Sequence, residues 1–427
     1  MYAGPLAPED KQAFLDLSAR VWNADKVATW RAAGVDLVIG ERDGYVLHDI
    51  EGRRLIDLHL NGGTFNLGHR NPELVGALVD ALGTFDMGNH HFPSLARTAL
   101  AEALLETCAP TMRSVVFSTG GSEAVDVAIK SVRRATGRRR IVSLERGYHG
   151  HTGLSICAGD VRTAEAFLVD RPDEFTRVPF NDVAAMETAL QPGDVAGVIL
   201  ETIPATYGFP VPDEGYLPAV KALCEQTGAK YIADEVQTGL LRSGEMWAIH
   251  RFGVTPDVLV SAKGLGGGLY PLGATVLDEE CGAWLDVDGW GHVSTGGGAE
   301  LGCMVGLKVL EITRRPEVAE LAAANAARFT DGLADLRERF PQVLTGVRQV
   351  GLILGLEFEG RKGAQRAMRA FYDHGLWAIF ATFDPSVLQF KPGLLMTPDL
   401  VTETLERVGA AVEAMASAAA ARDASRA

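Results

Sequence analysis

Three segments carry side chains whose types and spacing could do chemistry. In SVVFSTGGSEAVDVAIK a short apolar run leads into Thr119-Gly120-Gly121, and a helical pattern starts at Ser122 with Glu123 in its first turn. Adjacent glycines let backbone N–H groups approach an anion and a helix start adds partial positive charge, so the segment suits a phosphate or, equally, a plain capped helix. In KYIADEVQTGLLRSG an apolar run ends on Asp234. A carboxylate at a strand end of an open α/β sheet faces the ligand crevice, where it can hold a proton on a heteroaromatic nitrogen; capping the next helix is its alternative use. In PDVLVSAKGLGGGLYP the apolar run delivers Lys263 into a glycine-rich turn. Such flanks suit a desolvated amine that forms a Schiff base, whereas most lysines are solvated surface charges. The glycine run is not a dinucleotide loop, because Leu269 stands where G-x-G-x-x-G needs its last glycine.

These groups need a scaffold. Between about residues 60 and 310, β-branched runs at 114–118, 140–144, 195–201, 229–234 and 256–262 alternate with helical stretches. The runs lack polar alternation, as expected of strands covered on both faces, which predicts an α/β fold with a mostly parallel sheet. Upstream, residues 8–32 read as one helix, and GYVLHDIEGRRLIDLHL reads as strand, turn at Glu51-Gly52, strand. After Pro316 an alanine-rich helix, a strand in GLILGLEF, a helix near 364–375 and a last helix over about 399–423 predict a smaller α/β lobe. The expected division is 1–60 as a helix and hairpin joining the small lobe, 61–312 as the large domain and 313–427 as the small domain. The end, ASAAAARDASRA, reads as a fraying terminus.

Composition narrows the function. The chain has 427 residues with 40 basic and 55 acidic side chains, a formal charge of −15, which disfavours nucleic acid and anionic membrane as partners. Five scattered cysteines and a start without an export signal predict reduced thiols and a cytoplasmic, soluble protein. Arg133, Arg134 and Arg138 to Arg140 follow a helix and are expected to stabilise its end and to be solvated. His90-His91 and His149-Gly150-His151 lack a third ligand at metal spacing, so no metal is expected. Trp22 and Trp30 are expected to pack.

Taken in order, with Asp234 and Lys263 29 residues apart, the segments resemble the class III, or ω-type, aminotransferases of pyridoxal-phosphate fold type I, nearest the ornithine, acetylornithine and putrescine branch. The likeness extends over nearly the whole chain. It rests on Thr119 to Ala124 for the phosphate loop, Tyr148-His149-Gly150, Asp234 to Gly239 and Lys263 before a Gly-Leu-Tyr-Pro turn. Asn66 to His69, His292 to Gly297 and Arg348 to Glu357 add further matches. The resemblance implies a large domain with a helix-covered sheet plus a smaller lobe, and a ping-pong transaminase using pyridoxal 5′-phosphate. It implies that Lys263 carries the cofactor as a Schiff base and moves the proton, while Asp234 pairs with the pyridine nitrogen. Tyr148 and Val236 would flank the ring, Gln237 would approach its phenolic oxygen, and Gly120, Gly121 and Ser122 would take the phosphate. His149 and Glu201 would lie nearby. Thr295 would reach the phosphate of a neighbouring protomer, which requires a homodimer.

Two departures bear on substrate. Thr206 stands where related branches carry a gating glutamate, and Gln389 stands where an arginine that binds carboxylates is frequent, with Lys391 two residues on. Thr206, Gln389 and Lys391 are therefore the expected substrate-facing residues, and the expected substrates are a primary amine or ω-amino compound and a carbonyl acceptor of amine or specialised metabolism. The alternatives on this fold are an aminomutase of the glutamate-semialdehyde type and a decarboxylating dialkylglycine-type enzyme; a silent scaffold is the alternative from another class.

Overall fold

The computed structural model describes residues 10–424. Its centre is a seven-stranded sheet in the order Met112–Ser118, Gly273–Asp278, Val258–Ser261, Lys230–Asp234, Val195–Glu201, Arg140–Leu144, Phe175–Val178. The four pairings from Val258–Ser261 to Phe175–Val178 are parallel, and Gly273–Asp278 runs antiparallel to both of its neighbours. Every residue of Val195–Glu201 and of Val258–Ser261 is buried, which is why these runs carry no polar alternation. The five strands expected from apolar runs are all present. Two more were not legible: Phe175–Val178 has Thr176 and Arg177 at its centre because it is an edge strand, and Gly273–Asp278 opens on small residues straight after the glycine-rich turn.

The first expected helix is two, Lys11–Val21 and Ala24–Ala32. Asn23 breaks it, because its extended backbone and its side chain, which accepts from Lys26 N at 2.9 Å, start a new N-cap. Residues 8 and 9 of that expectation lie outside the described residues. The hairpin Val46–Asp49 and Arg54–Asp57 forms as read, and Arg54–Asp57 also pairs in parallel with Leu376–Trp377. A further sheet holds Leu344–Val350, Ile353–Phe358, Val387–Phe390 and Ile379–Phe380, with helices Gly363–Asp373 and Pro316–Arg339 against it and Pro398–Ala424 packed on those two helices. The alanine-rich end is helical as far as Ala424, and the last three residues lie outside the described ones. The arginines in the last turn of helix Gly121–Thr136 and just beyond it are engaged: Arg133 with Glu174, Arg134 with Asp288, Arg140 with Asp194, and Arg138 with the carbonyls of Val195 and Thr227. Trp30 meets Trp377 edge to face, but Trp22 is 67% exposed and does not pack into the core. No helix among the described residues is long and apolar enough to cross a membrane.

Below the strand end at Asp234, the buried carboxylate of Glu235 locks the next turn. It accepts from the hydroxyls of Thr202 and Thr238, both at 2.6 Å, and from Ala248 N and Ile249 N at 3.0 and 2.8 Å. Glu235→Ala strands four buried donors. We expect it to lower stability by about 3 kcal/mol or more, read as a lower urea midpoint at unchanged slope. A loss below about 1 kcal/mol contradicts this account of the turn.

Candidate active site

Parallel strands align their carboxyl ends along one edge of the sheet, and the chemistry-bearing residues gather there. Glu201 and Asp234 are the last residues of adjacent strands and are direct register partners. Lys263 follows Ala262 beyond the next strand, and Gly121 begins the helix that follows Met112–Ser118. One cavity results. Its walls are Gly121 and Ser122, Tyr148 to Gly150, Glu201, Asp234, Val236, Gln237 and Lys263. Among the cofactor residues expected from sequence, all but Gly120 and Thr295 line it.

Charge inside the cavity is paired with care. His149 is buried, and its Nδ1 lies 2.7 Å from Asp234 Oδ2, while Asp234 Oδ1 accepts from Val236 N at 3.1 Å. Both carboxylate oxygens are thereby fixed. The other ring nitrogen of His149, Nε2, is buried without a partner. Glu201 accepts from Tyr148 N at 2.9 Å and Ala205 N at 3.1 Å. Burial pushes its carboxyl up to about 7, with Asp234 adding repulsion against His149 and the two backbone donors. Burial likewise raises the Tyr148 hydroxyl.

The Lys263 amine is held in the opposite sense. Burial lowers it below the ordinary lysine value, although Asp234 and Glu201 both favour its charged form. Its backbone takes φ +46°, a left-handed conformation that a side chain rarely adopts and that carries about 1–3 kcal/mol of strain. Room for the side chain comes from Gly62: a Cβ there would lie 2.9 Å from Lys263 Cε. Gly62 itself has φ +73° and follows Leu60 and Asn61, which are also left-handed. Nothing in the Asn61-Gly62-Gly63 run was read as functional from sequence; the paired glycines were its only signal.

At the far end, helix Gly121–Thr136 opens on the cavity with no side chain capping it. Glu123 is not free to do so, because its Oε2 accepts from Thr119 N and Oγ1 at 2.8 and 2.7 Å. The exposed N–H groups of the first turn and the Ser122 hydroxyl suit an anion. Gly150, at φ +115°, is obligatory here, since any Cβ would overlap the Ser122 side chain.

The remaining expected residues lie elsewhere. Gly120 is the extended residue before the helix. Thr295 is exposed, on a turn whose Gly296 packs against Thr119. Thr206 lines a neighbouring cavity with Tyr148, Gly150, Thr382 and Phe383. Gln389 and Lys391 are buried and bonded to each other, Lys391 Nζ donating to Gln389 Oε1 at 2.7 Å. Beside them Arg242 is buried with only neutral partners, Asn66 Oδ1 and the carbonyls of Leu352 and Pro392, and burial lowers it to about 10. Among the described residues no group of three or more His, Cys, Asp or Glu could hold a metal ion.

Residues 29–412 match the family described as Aminotransferase class-III. An uncharacterized aminotransferase from Archaeoglobus fulgidus is 42% identical over 91% of each chain. A putrescine aminotransferase from Pectobacterium atrosepticum is 30% identical over 88% of this chain and 80% of that one. In fold, the ornithine aminotransferase of Toxoplasma gondii superposes with a TM-score of 0.87 at 23% identity, over 96% of each chain.

A lowered amine is neutral, and so nucleophilic, at a lower pH than a surface lysine. Acylation of Lys263 by a small water-soluble ester, followed by peptide mass spectrometry, should reach half its maximal rate at lower pH than acylation of the exposed Lys362. Coincident pH profiles would overturn the assignment of Lys263 as a desolvated amine.

Proposed function

This chain belongs to the class-III aminotransferases, enzymes that use pyridoxal 5′-phosphate, and we propose that it moves an amino group from a primary amine or ω-amino compound to a carbonyl acceptor by a ping-pong route. One observation carries the reading. A desolvated lysine amine and a buried, histidine-braced carboxylate share a single cavity at the strand ends.

The cavity fits the cofactor. Its uncapped helix start and Ser122 suit a phosphate, Asp234 suits a protonated pyridine nitrogen, and the left-handed Lys263 points its amine into space kept open by Gly62. When bound, pyridoxal phosphate supplies an aldehyde that exchanges amines and a ring that accepts the electrons of a broken C–H bond. The chain's own residues do the rest. Asp234, fixed by His149 and Val236 N, would stand as the hydrogen-bonding partner of the ring nitrogen. Tyr148 and Val236 would flank the ring, and Gln237 would meet its phenolic oxygen, all three lining the cavity. The amine of Lys263 would take the proton from the donor carbon and deliver it to the former aldehyde carbon on the other side of the nitrogen; burial, which lowers its basicity, would ease the return of that proton. Glu201 holds the backbone that carries Tyr148.

A homodimer with shared sites completes the proposal. Thr295 is exposed and turned out from its own cavity, and the exposed apolar side chains of Met87, Phe92, Leu95, Trp290 and Val293 supply a surface for a second copy. The five unpaired cysteines support a cytoplasmic setting. The division at residues 60 and 312 is supported by the pairing of the N-terminal hairpin with Leu376–Trp377. No arginine lines the cavity, and Gln389 is engaged by Lys391, which supports acceptors without a second carboxylate.

The enzyme loaded with pyridoxal phosphate should show a visible band that an amine donor bleaches and a carbonyl acceptor restores. Lys263→Ala should lower turnover by about 10³-fold or more and abolish borohydride-stable attachment of the cofactor. In the same assay 2-oxoglutarate should restore the band about tenfold more slowly, or worse, than a monocarbonyl aldehyde. Equal rates refute the acceptor reading, and full turnover by Lys263→Ala refutes the function.

The shared site has its own test. Sedimentation should give twice the chain mass, and Thr295→Ala should weaken cofactor affinity by roughly tenfold without changing that mass. A monomer that binds the cofactor tightly excludes the shared site.

A further inference from the structure

Lys391 is 1% exposed, and it is the one lysine of the C-terminal third buried against the cavity wall. Its backbone N–H donates to Leu58 O at 2.7 Å, which pins it between the N-terminal hairpin and strand Val387–Phe390. Its ammonium nitrogen reaches Gln389 Oε1 at 2.7 Å and Gln237 Oε1 at 3.4 Å, and lies 5.5 Å from the centre of the Phe209 ring. No carboxylate lies within ion-pair distance of it among the described residues. A group so enclosed offers no free face to a substrate. What it does offer is direction. An ammonium nitrogen has three N–H donors and no acceptor, and a neutral amine keeps two donors, one for each of the two amide oxygens that face it here. For Gln237, which lines the cavity, that leaves the NH₂ end as the donor, with no hydrogen-bond partner among the described residues.

We propose that Lys391 is a positioning residue that fixes the amide of Gln237 as a hydrogen-bond donor, and not an acceptor, towards the phenolic oxygen of bound pyridoxal phosphate. This rests on the reading that Gln237 faces the cofactor. A donor there stabilises the ionised ring oxygen and lowers its hold on the proton shared with the neighbouring Schiff-base nitrogen. The amide that Lys391 turns sits among Lys263 and Arg242, which oppose a charge on Lys391, and Asp57 and Glu201, which favour it; the half-buried His59 faces both lysines. Burial and the two cations together press Lys391 well below the ordinary lysine value, yet two N–H donors survive either way.

The test is the pH titration of the visible band of the loaded enzyme, with Lys391→Met and Lys391→Leu as alternative apolar replacements and a thermal melt to show that each is folded. With Gln237 free to turn, the midpoint should rise by about one pH unit. Gln237→Leu should give a similar rise, and adding Lys391→Met to Gln237→Leu should add almost nothing, because the effect runs through the amide. An unmoved midpoint in folded Lys391→Met, or a full second shift in the double variant, overturns the proposal while leaving the aminotransferase reading in place. A wild-type protein that takes up pyridoxal phosphate without any visible band overturns both.

Discussion

The active end of this molecule depends on keeping one lysine amine away from water while two carboxylates lie close by. Burial and Coulomb attraction pull that amine in opposite directions, and burial wins. Were the attraction to win, Lys263 would hold its proton more tightly and be a poorer nucleophile and base, the two uses proposed for it. Strand register creates the problem and limits it. Register pairs Glu201 with Asp234 across adjacent strand ends, and two carboxylates so placed repel. His149 takes one oxygen of Asp234, two backbone N–H groups hold Glu201, and Glu201 moves up to about 7. Raising Glu201 eases its repulsion with Asp234 and weakens one of the two attractions that would keep Lys263 charged.

The walls of that cavity come from distant parts of the chain, and this ties activity to folding. Gly62 lies on a left-handed turn whose entry is held by Asp57: Oδ1 accepts from His59 N and Leu60 N, and Oδ2 meets His69 Nε2 at 2.8 Å. The same hairpin strand pairs with Leu376–Trp377, and Leu58 O receives Lys391 N. The segment that makes room for Lys263 is thus anchored to the segment that contacts Gln237. Strain at Leu60, Asn61 and Lys263 persists because these anchors overdetermine the local backbone.

Selectivity follows from what surrounds the cavity. Its walls are rich in groups that suit a phosphate, a ring and an amine, and they contain no guanidinium to fork a substrate carboxylate. Arg242 is close, but its two terminal nitrogens are held by neutral oxygens and its Nε is buried without a partner, with Gly63 against its side chain. Thr206 opens on the adjoining cavity behind Tyr148, whose walls also include Ile156, Thr382 and Phe383.

Sequence by itself determined the α/β class, five strands of the large sheet (four of them in its parallel part and Met112–Ser118 at its half-buried edge), the order of the phosphate, carboxylate and lysine segments, and thus the family. It could do so because buried parallel strands must be apolar throughout, and because chemistry at strand ends leaves its residues at abrupt apolar-to-polar boundaries. It missed strands Phe175–Val178 and Gly273–Asp278, whose composition reflects an edge and a glycine turn, and it joined two helices across Asn23. Only the tertiary structure decided that Gly62 clears space for Lys263, that His149 braces Asp234, and that Gln389 and Lys391 are buried partners. These are contacts between residues 85 to 201 positions apart, or facts of burial, and no local periodicity encodes them.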